Sequence, residues 1–101
     1  MTFGYVVTAV AWKINYLANL HWRHFDDECV VFDSGSGQTH QLSRLHAVTL
    51  MLIEGGPISS GELTDLVAAE TEIDLGLELS IAISCVLDSL NHIGLVETTS
   101  Q

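Results

Sequence analysis

The chain has 101 residues, 48% of them apolar and 16% charged, with 8 Gly and 1 Pro, a composition that fits a single domain with its own core rather than a disordered tail. Lys and Arg number 3 against 13 Asp and Glu, a formal charge of −10 that repels phosphate backbones, anionic lipid and acidic polymers and favours cationic or neutral partners. Nucleic-acid and membrane-surface functions are therefore not expected.

Residues 3 to 12, FGYVVTAVAW, are largely apolar, but the run lacks a basic leading segment and a small-residue cleavage pattern and meets Lys13, so no secretory signal is expected. No uncharged apolar stretch approaches the roughly 20 residues that cross a bilayer. Composition divides the chain into an N-terminal arm of roughly 18 residues, a β-rich part up to Leu42 and a helical part from Ser43 onward, and the expected domain bounds are 1–18 for the arm, 19–97 for the folded domain and 98–101 for a short tail. The arm at 5 to 12 reads equally as a further strand or a loose lead-in.

Residues 20–23 (LHWR), 29–32 (CVVF) and 39–42 (THQL) are short and rich in aromatic or β-branched types, or alternate in polarity. They predict three antiparallel strands, the last two joined as a hairpin by the turn-forming DSGSG at 33–37. The strand Thr39, His40, Gln41, Leu42 runs straight into helix and should form a sheet edge.

Three helices follow. Ser43 is a candidate N-cap for a helix to Glu54 with Leu45, Val48 and Leu52 on one face, ended by Gly55-Gly56-Pro57. Ser59 and Glu62 have capping-box spacing and open a short second helix carrying Leu63, Leu66 and Val67. A turn through Thr71 to Ile73 leads to Asp74, an N-cap for the longest helix, which reaches about Asn91 before Gly94. Leu95-Val96-Glu97 can add a last short strand.

This pattern predicts an α+β fold: a small winged helix-turn-helix-like domain, a three-stranded antiparallel sheet packed on three helices. Such domains often bind DNA. Here the helix that would enter the major groove carries Asp74, Glu78 and Asp88 and no Lys or Arg, which argues against it.

On the last helix Leu79, Ile83, Val86 and Leu90 share one side, with Leu75 and Ile93 nearby, and form the core face. Leu77, Ile81 and Cys85, four apart, fall on roughly the opposite side beside Ser84 and Asp88. This second apolar stripe needs cover, from the arm, a second copy of the chain or an external peptide. An open strand edge beside an apolar helix face is the geometry of β-augmentation, in which an extended peptide adds as a strand and pockets select its side chains.

Metal and catalytic readings are weaker. Cys29 and Cys85 are far apart with no C-x-x-C spacing, which suggests neither a disulfide framework nor a zinc site and fits a reducing, cytoplasmic setting. His21 and His24 are three apart, which in a strand directs them to opposite faces. His21 is expected on a polar sheet face and His40 in a hairpin contact. Asp26, Asp27 and Glu28 read as a solvated turn rather than paired acid and base. No G-x-S-x-G elbow, P-loop or dinucleotide fingerprint is present. No enzyme activity, cofactor or metal is expected.

Three motifs, Trp22-Arg23-His24-Phe25-Asp26-Asp27-Glu28, Ser36-Gly37-Gln38-Thr39-His40-Gln41-Leu42 and Gly55-Gly56-Pro57, stand in an order and spacing that resembles the PqqD-like peptide chaperones, specifically the branch found with an HPr kinase-related protein. The resemblance covers about residues 12 to 97. His46 departs from it, standing where related sequences more often have a small or acidic residue.

The resemblance implies a RiPP recognition element: a non-catalytic domain that binds the leader of a ribosomally made precursor and presents it to modifying enzymes. In that family the leader adds to the third strand, in the cleft beside the third helix. The implied partners are a precursor peptide and the modifying enzymes or HPr kinase-related protein of the same system. On this reading Thr39, His40, Gln41 and Leu42 offer main-chain bonds, Leu77, Ile81 and Cys85 accept apolar leader side chains, and Ser84 and Asp88 make polar contacts. Asp88 and the overall acidity favour basic residues in the leader. The competing readings are a homodimerising module that covers the second stripe with its own copy, and an acidic winged-helix regulator acting through protein contacts.

Overall fold

The computed structural model describes residues 10–25, 28–71 and 77–100. In chain order the elements are β1 (Val10–Ile14), β2 (Leu20–Phe25), β3 (Glu28–Asp33), β4 (Gln38–Leu42), α1 (Arg44–Glu54), β5 (Ile58–Ser59), α2 (Ser60–Thr71), α3 (Leu77–His92) and β6 (Val96–Ser100). The strands form two antiparallel three-stranded sheets, ordered β5-β1-β6 and β2-β3-β4. The result is a small α+β domain with three helices.

Period-two alternation explains the second sheet. In register, Trp22 faces Val31 and Val31 faces His40, while their neighbours His21, Phe32 and Thr39 pair one step along. Val31 and Leu42 are buried, whereas Phe32, Thr39 and Gln41 are exposed. The inner face thus carries Trp22, Val31, His40 and Leu42. His21 and His24 differ in parity as the strand reading requires: His21 lies against Phe32 on the outer face and His24 stacks beside Trp22 on the inner one.

The other sheet was not expected. Residues 10–14 form its central strand, which decides for a strand in this part of the arm. Trp12 meets Ile58 on one side and Thr98 on the other, and Lys13 faces Glu97, with which it makes a 3.4 Å ion pair. Strand pairing therefore crosses both expected domain bounds, at residue 18 and at residue 97. The reason is burial: Trp12 and Ile14 pack on the core, and the β6 residue Val96 is fully inside.

Ser43 caps α1, its Oγ accepting the His46 amide at 3.3 Å. The helix buries Ala47, Leu50 and Ile53, while Leu45, Val48 and Leu52, the expected core face, are half-buried at its flanks. The shift arises because α1 is contacted by α2, α3, β1, β3 and β4 and so is covered on more than one side.

Helix α2 is not short. Its 12 residues exceed the 11 of α1, since Ala68-Ala69-Glu70 extends the turn buried through Leu63 and Val67 without a breaker. Its capping box is half of the expected one. The Glu62 amide donates to Ser59 Oγ at 3.2 Å, but the Glu62 carboxylate accepts from the Ser59 hydroxyl and not from its amide, Ser59 being part of the strand pair with Ala11. The turn at 72–73, the Asp74 cap and Leu75 lie outside the described residues, as do Asp26 and Asp27.

Helix α3 buries Leu79, Ile83, Val86, Leu87 and Leu90. It ends in a Schellman motif: Leu95 N–H donates to the Leu90 carbonyl and Gly94 N–H to that of Asn91, with Gly94 at φ +83°. That reversal carries the chain directly into β6.

Candidate functional site

The hairpin that places β4 is organised by Asp33. Its Oδ1 accepts the amides of Asn19 and Gly35, each at 2.9 Å, and its Oδ2 accepts the Ser36 hydroxyl at 3.0 Å. Burial alone would push this carboxyl up, but the hydrogen bonds from Asn19, Ser36 and Gly35 outweigh it and hold the group below its ordinary value. The turn is thus locked by a carboxylate that stays charged. A Cβ at Gly35 would overlap the Leu17 carbonyl oxygen, so the β3–β4 turn packs on the β1–β2 connection only because residue 35 has no side chain.

Beyond this turn β4 pairs with β3 on one side only, and among the described residues no strand lies on its other side. The strand β2 forms the opposite edge. Along β4 runs a cleft of about 400 Å³, lined by Thr39, His40, Gln41 and Leu42 from the strand, Ser43 and His46 from the start of α1, and Ser89 and Ile93 from the end of α3. The strand part of the predicted site is therefore assembled against α3. Leu42 joins it with its side chain committed to the core, 7% exposed, so backbone is what it can offer.

On α3 this cleft is lined by Ser89 and Ile93, further along the helix than the predicted stripe. Ile81 is 57% exposed and Cys85, Ser84 and Asp88 are exposed, and none of them lines this cleft. The side chain of Leu77 lies outside the described residues. Positions four apart advance about 40° around a helix per step, so the row Ile81, Cys85, Ser89, Ile93 winds slowly and meets β4 only at its C-terminal end. Continuing the spacing by two steps would have found Ser89 and Ile93. Ser43 and His46 join this lining because the tertiary fold carries the α1 N-terminus to the cleft.

Two imidazoles face this space with different commitments. His40 Nε2 is buried and has no hydrogen-bond partner among the described residues. His46 Nδ1 is 2.7 Å from Ser43 Oγ, the same oxygen that accepts the His46 amide.

A larger cavity, about 570 Å³, is lined by His24, Glu28, Cys29, Arg44, Ala47, Val48 and Met51. Cys29 Sγ there lies 3.3 Å from His24 Nδ1. It borders β2, β3 and α1 and includes no β4 residue, so the free β4 edge singles out the smaller cleft as the candidate site. Among the described residues no group of three or more His, Cys, Asp or Glu is arranged to hold a metal ion, and no helix is long and apolar enough to cross a membrane.

No family model and no curated protein matches the chain. Among solved structures, TbiB1 in complex with the TbiA(beta) leader peptide is similar, with a TM-score of 0.65 and 25% identity over 84% of this chain and 94% of that one. The two proteins share a fold. The resemblance to RiPP recognition elements read from the motifs is thus matched at the level of architecture, over nearly the whole of a protein solved with a leader peptide.

Proposed function

We propose that this protein is a non-catalytic peptide-binding adaptor of the RiPP recognition element type. It takes up the leader of a ribosomally synthesised precursor as an added strand on β4 and presents the precursor to modifying enzymes. The observation that carries this reading is the coincidence of a free β4 edge and an adjoining cleft, on a fold shared with a protein solved holding a leader peptide. Main-chain bonds to β4 would set the register, and Ser89, Ile93 and the Ile81–Cys85 stripe of α3 would meet alternate side chains. The motifs around Trp22, Thr39 and Gly55 support the finer assignment to the PqqD-like branch with an HPr kinase-related partner, acting in the cytoplasm.

The test is titration of a precursor peptide encoded beside this protein into labelled protein, followed by amide NMR. Shifts concentrated in β4, at Ser43 and His46, and along α3 support the adaptor. Shifts confined to β2 or to the outer sheet face, or none at all, overturn it.

The exposed Ile81 favours one rival, a homodimer through α3. Sedimentation at several concentrations separates the two. A constitutive dimer dissociated by Ile81→Asp, with no peptide effect on β4, replaces the adaptor reading.

A further inference from the structure

We propose that Cys29 is a site of reversible S-thiolation, which takes one half of a small disulfide that carries a carboxylate. The site is the cavity of about 570 Å³ bordered by β2, β3 and α1. It shares no lining residue with the β4 cleft and does not depend on the adaptor reading. Both cysteines are free thiols, but their settings differ. Cys85 stands exposed on α3, whereas Cys29 is half-buried in the cavity wall with an imidazole beside it.

Strand register puts the base next to the thiol. His24 and Cys29 are direct cross-strand partners, and Cys29 Sγ lies 3.3 Å from His24 Nδ1. The ring is itself held in place: it stacks beside the Trp22 indole with 6° between the planes, and Trp22 Nε1 donates to Glu54 Oε1 at 2.9 Å. A nucleophile, a base in reach and a group that orients the base make the arrangement that activates a thiol. His24 is exposed, so proton exchange with water supplies the tautomer that accepts at Nδ1 whatever the resting form. Arg44 lines the same cavity and makes no ion pair among the described residues, while the Glu28 carboxylate accepts from Gln41 Nε2. The Arg44 fork therefore favours a carboxylate on the incoming group. Ala47, Val48 and Met51 supply apolar wall for its stem.

The step is thiol–disulfide exchange. Cys29 Sγ gives its proton to His24 Nδ1 and attacks one sulfur of the disulfide. A new S–S bond forms as the old one breaks, and its electron pair leaves on the departing thiolate, which takes the proton back from the imidazolium. One protein thiol and one small disulfide become one mixed disulfide and one small thiol, and the disulfide itself is the oxidant. A small thiol in excess reverses the exchange.

Oxidised glutathione and the uncharged 2-hydroxyethyl disulfide serve as probes on the full chain at pH 7. Trypsin places Cys29 in residues 24–44 and Cys85 in 45–101, so mass spectrometry reads both initial rates in one molecule and Cys85 is the internal control. With oxidised glutathione Cys29 should react about tenfold or more faster than Cys85 in spite of its lower exposure, as a base in reach implies, and dithiothreitol should release the adduct. His24→Phe, checked for folding by circular dichroism, keeps a ring beside Trp22 and should remove that advantage with Cys85 unchanged. Arg44→Gln should slow glutathione at Cys29 and spare the uncharged probe. Amide shifts on thiolation should centre on Ala47, Val48 and Met51. A wild-type Cys29 no faster than Cys85, or an advantage that survives His24→Phe, overturns the inference. Arg44→Gln slowing both probes alike overturns the carboxylate preference. The wild-type ratio decides even if a variant unfolds.

Discussion

The backbone amide of Asn19, just before β2, donates to the Asp33 carboxylate at the far end of β3, 2.9 Å away, and the Ser34 amide returns a bond to the Asn19 carbonyl at 3.0 Å. This reciprocal pair closes the end of the β2–β3 ladder and sets the point from which the β3–β4 turn departs. The position of the β4 edge depends on it.

The Asp33 carboxyl is held below its ordinary value, so its contribution to stability has a definite pH sign. It is fully present above the unfolded value of 3.8 and is lost as pH falls below that, through the lower folded value. Asp33→Asn should lower unfolding free energy at pH 7 by about 1.5–3 kcal/mol, the range for hydrogen bonds to a charged group. The gap between the two proteins should narrow as acid is added. Urea unfolding at pH 7 and at stepwise lower pH measures both; a gap that widens in acid would contradict the assignment.

Gly35→Ala meets the Leu17 carbonyl, which is backbone and cannot swing aside. A loss of about 1–3 kcal/mol follows, as for other forced overpacking. Thermal melting should show it, whereas Ser34→Ala, at an exposed neighbour, should move the midpoint far less.

The two faces of α3 should differ sharply. Leu87 is 1% exposed, and Leu87→Ala should cost about 2–5 kcal/mol through lost burial and the cavity left behind. Cys85→Ser, on the exposed face, should stay within about 0.5 kcal/mol. Chemical denaturation of both variants checks the helix orientation directly.

Peptide binding should separate the two ends of the winding row. Ser89→Arg places a long side chain in the cleft from an exposed position, and should abolish strand addition while leaving the melting midpoint close to wild type. Ile81→Asp, outside the cleft lining, should weaken the same peptide by about tenfold or less if the peptide continues along α3, the worth of one apolar contact. Fluorescence anisotropy with the neighbouring precursor peptide reads both. Equal effects would mean that the peptide lies along the exposed stripe and not in the β4 cleft.

The residues themselves determined the local devices. Alternation in CVVF and THQL, the DSGSG turn, the Ser43 cap, the Gly94 stop and the acidity that argues against DNA are all readable because each depends on neighbours within a few positions. The core face of α3 was legible for the same reason, although Leu87 was missed between Ile83 and Leu90. Only the tertiary structure decided that Val10–Ile14 is a central strand between Ile58–Ser59 and Val96–Ser100, because those partners lie tens of residues away and no local pattern records their pairing. It likewise decided which part of the α3 row meets β4. A helix announces its faces by periodicity, but the end of a face that comes to lie beside a strand is set by how the whole chain packs.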